Sequence, residues 1–99
     1  MIVEFNGQAR SEYEDAIEWY RAKSPPTAER FVEAVQSAFG NIAKDPQRFP
    51  RVRLGCQCCS LHPPFPFSII FHHTTDHVLI VAVAHASRRP NYWHRRISN

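Results

Sequence analysis

Prolines divide this sequence into segments in which the apolar residues recur at different spacings. Before Pro25-Pro26 the spacings are three and four, which predicts a helix over roughly residues 8–22 with Asn6 as its N-cap. Ser24 followed by Pro25 predicts a second helix that begins at once, and Asp45-Pro46 ends it. The predicted apolar faces are Ala9, Tyr13, Ala16, Ile17 and Tyr20 in the first helix and Phe31, Val35, Ala38, Phe39 and Ile42 in the second. We expect the two helices to form an antiparallel hairpin.

After Pro50 the apolar residues recur at every second position, which is typical of strands. The pattern predicts a strand over residues 51–61, followed by two strands of a hairpin over residues 65–72 and 78–84. Residues 2–5 are predicted to form a short additional strand. The stretch from 87 to 96 is predicted to be a loop with one helical turn that starts near Pro90.

The predicted element order is β-α-α-β-β-β, which indicates an α+β fold with the helical hairpin packed on one face of an antiparallel sheet. We expect a chain of 99 residues to form one domain, residues 1–99. The longest apolar run, residues 78–84, is far shorter than the roughly 20 residues of a membrane-spanning helix. Residues 1–5 contain an acid and lack the pattern of a secretory signal. We therefore expect a cytoplasmic protein that does not bind a membrane.

Three cysteines lie close together at Cys56, Cys58 and Cys59, which does not resemble the spaced pairs of a disulfide framework. Because neighbouring side chains on a strand point to opposite faces, three thiolates and His62 do not converge easily on one tetrahedral zinc ion. We expect reduced thiols, no metal site and no cofactor. The histidines His72, His73 and His77 are interpreted as a polar turn rather than as metal ligands.

Charge is distributed unevenly between the two halves of the chain. Residues 1–50 carry six basic and eight acidic side chains, whereas residues 51–99 carry six arginines, one acid and all six histidines. The second half therefore has a net charge of +5 with neutral histidines. Since arginine forms bidentate contacts with phosphate and carboxylate groups, this half is predicted to bind an anionic partner; the alternative is a solvated basic face without a ligand.

Several segments, taken in their order along the chain, resemble the RelE/ParE superfamily of type II toxins. They are residues 16–20 at the end of the first helix, the junction Ser24-Pro25 with Phe31 after it, the strand Phe65–Ile69, and the ending Ala82–His85 with Arg88, Pro90, Trp93 and Arg96. The resemblance spans nearly the whole chain. It implies a toxin held in a hetero-oligomer by a cognate antitoxin, whose C-terminal segment folds over the working face of the toxin.

The resemblance implies one of two activities. ParE-like members inhibit DNA gyrase, whereas RelE-like members are metal-independent endoribonucleases that cut mRNA on the ribosome. RelE-like nucleases usually place lysines beside the active strands, and here no lysine follows Lys44. The ending of the chain also resembles the ParE-like plasmid stabilisation proteins more closely, so the gyrase branch is favoured. Outside the family, the alternative is a small basic nucleic-acid-binding module without toxicity.

A nuclease would need a base, an acid and cations around the phosphate. The candidate catalytic residues, if that branch holds, are His85 as base or acid, Arg88 as phosphate clamp and Tyr92 as stacking or proton-transfer group. Each has an alternative interpretation, because His85 and Tyr92 can also stabilise the fold through hydrogen bonds and packing.

The residues predicted to bind the antitoxin or the target are Arg51, Arg53, Arg88, Arg89, Trp93, Arg95 and Arg96. For Trp93, packing of the C-terminal turn onto the sheet is the favoured alternative. The aromatic residues of the first helix, Tyr13, Trp19 and Tyr20, are predicted to contribute to the core and to helix contacts.

Overall fold

The structure is a computed structural model, and it describes residues 1–97 of the chain. Its helices and strands are β1 (Ile2–Phe5), α1 (Gly7–Lys23), α2 (Pro25–Lys44), β2 (Gln57–Ser60), β3 (Phe67–His73) and β4 (His77–His85). Short 3-10 turns lie at Pro46–Arg48, Arg53–Gly55 and His94–Arg96. The α+β class and the order of the elements are confirmed. None of the helices described in residues 1–97 is long and apolar enough to cross a bilayer.

The four strands form one sheet in the order β1-β4-β3-β2. Strands β2, β3 and β4 are antiparallel, as predicted. Strand β1 lies parallel to β4, with Ile2 opposite His77 and Phe5 opposite Ile80, so the sheet is mixed rather than wholly antiparallel. The helical hairpin that follows β1 carries the chain across one face of the sheet, and such a crossover allows a parallel pair.

Both helices begin and end where the sequence pattern indicates. The side chain of Asn6 accepts hydrogen bonds from the backbone N–H groups of Gln8 and Ala9, which caps α1. Ser24 separates the helices through its backbone: its N–H donates to the carbonyl of Tyr20, and its own carbonyl accepts from Ala28 in α2. The Ser24 hydroxyl forms no capping bond, so Pro25 at the first helical position defines the start of α2.

The main core lies between the helices and one face of the sheet. The predicted apolar face of α2 is buried throughout, with Phe31, Val35 and Ile42 fully enclosed. From α1, Tyr13 and Tyr20 pack against the same core. A fully buried phenylalanine or leucine contributes roughly 1.5–3 kcal/mol through the apolar surface it removes from water. This face therefore supplies most of the hydrophobic stabilisation of the fold.

The strand predicted over residues 51–61 is shorter in the structure, because β2 begins only at Gln57. Leu54 and Gly55 both have positive φ angles, 59° and 74°, which no extended strand can contain. The chain turns back there, so that the N–H of Cys58 donates to the carbonyl of Pro50. The prediction missed this tight turn because alternation of side chains gives no information on the sign of φ.

The opposite face of the sheet, which we call the outer face, is covered by the C-terminal segment, residues 86–97. Trp93 is 3% exposed and packs with Cys56, Ile70, Val81 and Ala82. The predicted helical turn is present as turns and a 3-10 helix at His94–Arg96. The outer face thus has a small apolar cluster of its own.

Candidate interaction site

The edge of β4 is open beyond the point where β1 ends. Strand β1 stops at Phe5, and the N–H of Asn6 forms the last bond between the two segments, to the carbonyl of Ile80 at 2.8 Å. Within residues 1–97, no strand pairs with this side of β4 from Val81 onward. Backbone N–H and C=O groups at such an edge need partners from elsewhere in the fold or from solvent.

A β-bulge at Val81 lies where this edge begins. Ile70 of β3 lies opposite Ala82, and Phe71 lies opposite Ile80, so Val81 is an extra residue without a partner on β3. Its carbonyl instead accepts a hydrogen bond from the guanidinium of Arg96 at 3.1 Å. A bulge bends the strand and re-aims its groups, and here it directs a carbonyl to the C-terminal segment.

Glu12 of α1 connects the open edge of β4 with the C-terminal segment. Its Oε1 accepts from the N–H of Val83 at 3.0 Å. Arg96 donates to both carboxylate oxygens, at 2.8 and 3.0 Å, and the hydroxyl of Tyr92 donates to Oε2. Since bidentate charge-assisted bonds are among the strongest polar contacts in proteins, this carboxylate fastens three segments of the chain together.

The same contacts determine the protonation of the carboxylate and the phenol. Burial alone raises the pKa of Glu12, but the hydrogen bonds from Arg96, Tyr92 and Val83 outweigh it, and the pKa lies below its ordinary value. Burial and then the hydrogen bond to Glu12 raise the pKa of Tyr92 well above its ordinary value. Glu12 is therefore an anion and Tyr92 a neutral phenol at physiological pH.

The ring of His85 is held by the residues that follow it. The backbone N–H of Ser87 lies 3.0 Å from Nδ1, and the Ser87 hydroxyl lies 2.8 Å from it. A backbone N–H can only donate, so Nδ1 is the acceptor and the proton of the neutral ring is on Nε2. The ring also packs edge-to-face on Phe67, with centroids 5.0 Å apart. His85 therefore presents a hydrogen-bond donor, not an acceptor, to a partner.

Arg88 lies on the loop after β4 and contacts two members of the Glu12 network. Its guanidinium carbon is 3.8 Å from the ring centroid of Tyr92, which is a close cation–π contact. Its Nη1 is 3.8 Å from Oε2 of Glu12, an ion pair beyond hydrogen-bond distance. The side chain is nevertheless 52% exposed, so its donors remain accessible.

Two concave surfaces meet at His85 and Arg88. The larger, which we call the groove, has a volume of about 660 Å³ and lies between α1, the open edge of β4 and the loop before β3. Its walls are largely apolar, and its residues are Glu12, Asp15, Ala16, Trp19, Tyr20, Pro64, Pro66, Phe67, Val83, His85, Ser87 and Arg88. A groove with aromatic walls and a few charges at its rim is suited to a peptide segment.

The smaller surface, which we call the cleft, has a volume of about 190 Å³ and lies on the outer face of the sheet. Its floor consists of side chains from the three antiparallel strands, and its wall is the C-terminal segment. Its residues are Val52, Cys58, Ser68, Ile70, Ala84, His85, Arg88, Arg89, Pro90, Asn91, Tyr92 and Trp93. The structure thus brings His85, Arg88 and Tyr92 together, as the nuclease hypothesis requires.

The arginines predicted to bind a partner fall into two groups. Arg51, Arg53, Arg88, Arg89 and Arg95 are exposed. The side chain of Arg96 is only 9% exposed and is bonded to Glu12 and Val81. Trp93 is buried in the outer-face cluster, in agreement with its packing alternative. Neither side chain is accessible to a partner in this structure, because each is enclosed by the fold.

Two residues of the site were missed or misjudged by the sequence analysis. Glu12 was not among the candidate residues, yet it is the centre of the network. Trp19 was predicted to contact the core or a helix, but it is 58% exposed and lines the groove. The apolar spacing of α1 did not indicate that Glu12 bonds to the C-terminal segment or that Trp19 lines the groove.

The cysteines are free thiols placed on both faces of the sheet. Cys56 and Cys58 pack on the outer face, whereas Cys59 lies in the main core. Burial raises the pKa of Cys56 and Cys59, which disfavours their thiolates. Within residues 1–97, no group of three or more His, Cys, Asp or Glu side chains is arranged to hold a metal ion.

Comparison with known proteins identifies the family. The model of the ParE toxin family, "ParE toxin of type II toxin-antitoxin system, parDE", matches residues 3–90. The chain therefore belongs to the ParE toxin family of type II toxin–antitoxin systems. A solved chain of the chromosomal ParDE TA system from P. aeruginosa superposes with a TM-score of 0.73 at 15% identity, covering 88% of this chain and 97% of that chain. At this identity the likeness shows the shared fold. No curated protein sequence matches the chain.

Proposed function

We propose that this protein is a cytoplasmic toxin that inhibits DNA gyrase and is neutralised by a cognate antitoxin. The observation that carries the proposal is the match of residues 3–90 to the ParE family, whose description names the parDE system. The solved structure with the same fold also comes from a ParDE system. Inhibition of gyrase is the activity that the resemblance to ParE-like members implies.

The geometry around the C-terminal segment supports this branch over RNA cleavage. The hydroxyl of Tyr92 donates a hydrogen bond to Glu12. Burial and Glu12 raise the pKa of Tyr92, so the phenol is poorly suited to exchange a proton near neutral pH. Nδ1 of His85 is occupied by the N–H of Ser87, which leaves Nε2 protonated in the neutral ring. A neutral imidazole in this tautomer has no free nitrogen with which to accept the 2′-hydroxyl proton.

The surface supports recognition of an anionic partner. Arg51, Arg53, Arg88 and Arg89 are exposed on the loop before β2 and on the C-terminal segment. Arg88 and Arg89 line the cleft, whose rim includes Val52 from the loop between Arg51 and Arg53. Positive charge concentrated on one surface accelerates association with an acidic segment. We infer that the antitoxin covers this surface and, from it, reaches the groove.

Induced expression in bacteria tests the proposal. We expect filamentous cells with gyrase-linked DNA breaks and intact mRNA, and inhibition of supercoiling by purified gyrase. Co-expression of the antitoxin should restore growth. His85→Ala should reduce toxicity only as far as it reduces stability or partner binding. Intact gyrase activity at toxin concentrations that stop growth would contradict the proposal.

The second candidate is a ribosome-dependent endoribonuclease, and one observation favours it: His85, Arg88 and Tyr92 all line the cleft. In that case expression should leave mRNA cut within codons. His85→Ala or Tyr92→Ala should lower cleavage by roughly 10²- to 10⁴-fold, as for loss of a general acid or base, while antitoxin binding persists. If expression neither inhibits gyrase nor cuts mRNA and growth continues, the protein fits the alternative of a non-toxic nucleic-acid-binding module.

A further inference from the structure

Arg88 differs from the other exposed arginines of the basic surface in how it is held. Within the part of the chain that the structure describes, Arg51, Arg53, Arg89 and Arg95 form no side-chain hydrogen bond, ion pair or cation–π contact. Arg88 contacts both the ring of Tyr92 and the carboxylate of Glu12. It also lines both the groove and the cleft, so a partner in either one can reach it.

The support for Arg88 begins at Glu12. Arg96 binds both oxygens of Glu12 and neutralises its charge, and Oε2 also accepts the hydroxyl of Tyr92. This bond anchors the hydroxyl end of the Tyr92 ring, and the guanidinium carbon of Arg88 lies 3.8 Å from the centroid of that ring. A ring anchored at its hydroxyl end stays in contact with Arg88, whereas a ring without this bond can move away from it.

The distances leave Arg88 free to bind. At 3.8 Å, Nη1 of Arg88 is attracted to Glu12 but does not form a hydrogen bond with it. Among the described residues, none accepts a hydrogen bond from the five N–H groups of the Arg88 guanidinium. Arg88 is therefore oriented by contacts that do not occupy its hydrogen-bonding groups.

We propose that Glu12 is the positioning residue for Arg88, and that through Tyr92 it holds this arginine ready for an acidic group of the gyrase target at the junction of the groove and the cleft. Long side chains lose rotamer freedom when they bind, and an arginine already held in place loses less. The partner in this inference rests on the proposed function. The positioning itself does not depend on it.

The positioning is tested without a partner by NMR relaxation of the Arg88 Nε–Hε group. In the unmodified protein we expect an ordered group, and in Glu12→Gln and Tyr92→Phe an order parameter below about 0.6, the range of flexible groups. Glu14→Gln, the same change two residues along α1, is the control and should leave Arg88 ordered. If Glu12→Gln unfolds the protein, Tyr92→Phe still gives the answer, since it removes only the hydroxyl. An Arg88 group equally ordered in both variants overturns the proposal.

A double-mutant cycle then tests whether Glu12 acts through Arg88 when purified gyrase is the probe. We expect Glu12→Gln to weaken inhibition of supercoiling about three- to tenfold, and to weaken it no further in an Arg88→Ala background. An equal loss in both backgrounds means that Glu12 acts through general stability and overturns the proposal. If the unmodified protein does not inhibit gyrase, the proposed function fails, and the relaxation measurement alone supports or overturns the positioning.

Discussion

The two faces of the sheet are held by different kinds of interaction. On the helix side, aromatic and aliphatic side chains from α1 and α2 form a continuous apolar core, for example Phe31 with Tyr20 at 5.0 Å between ring centroids. On the outer side, a short C-terminal segment packs through Trp93 and is fastened by the bonds of Glu12 to Arg96 and Tyr92. The helix side therefore depends on buried area, whereas the outer side depends in part on a buried ion pair and should respond to pH.

The largest effect is expected from the helix side. Phe31→Ala should reduce the free energy of unfolding by roughly 3–5 kcal/mol, because it removes a fully buried ring and leaves a cavity. Trp19→Ala is the matched control, since Trp19 is an exposed aromatic on α1; its cost should stay below about 1 kcal/mol. Chemical denaturation measures both, and similar losses would contradict the division between core and surface.

The outer face is tested by removing the charge of Glu12. Glu12→Gln should cost roughly 2 kcal/mol, because the guanidinium of Arg96 then loses its ionic partner inside the fold. Glu14→Gln on the exposed side of the same helix should change stability by less than about 0.5 kcal/mol. If the two variants have the same denaturation midpoint, the network does not hold the C-terminal segment.

The pH dependence of stability follows from the lowered pKa of Glu12. A group whose pKa is lower in the folded than in the unfolded state stabilises the fold above its unfolded pKa. Here that stabilisation should be complete above the ordinary value of 4.5 and decrease as the pH falls below it toward the lowered value. The free energy of unfolding measured from pH 6 to 3 should therefore decrease more steeply in the unmodified protein than in Glu12→Gln. Parallel plots of this free energy against pH would exclude the contribution of Glu12.

Charge reversal tests the basic surface in binding. Arg53→Glu with Arg88→Glu should slow association with the antitoxin roughly tenfold at low salt, because steering by positive charge is lost. The same change in charge at Arg10 and Lys44, on the helices, should have a much smaller effect. Stopped-flow association at two salt concentrations distinguishes the cases, and an unchanged rate at low salt would disprove the proposed surface.

The smallest effect is expected at the partly exposed thiol. Cys58→Ser should alter the free energy of unfolding by less than about 0.5 kcal/mol, since it exchanges similar groups next to the hydroxyl of Ser60. Elemental analysis of protein purified without added metal should find no stoichiometric zinc. One zinc per chain that disappears in Cys56→Ser or Cys58→Ser would show that the thiols are metal ligands.

The parts of the fold that depend on local pattern were predictable from the sequence. The apolar spacing from Phe31 to Ile42 and the break at Ser24-Pro25 gave both helices within a residue or two. The parts that depend on backbone geometry were not. The turn at Leu54 and Gly55 shortened β2, and neither the bulge at Val81 nor the parallel pairing of β1 leaves a signal in side-chain alternation.

The site shows the same division. Composition and residue order are local properties, so they were enough to predict that the second half of the chain is basic and that His85, Arg88 and Tyr92 lie near the end of the last strand. Which of these side chains a partner can reach depends instead on contacts between residues that are far apart in the sequence. Glu12 lies 80 residues from Tyr92 and 84 from Arg96 along the chain. No local pattern connects residues so distant, and they meet because β1 ends early and leaves the edge of β4 to be closed by a carboxylate from α1 and an arginine from the C-terminal segment.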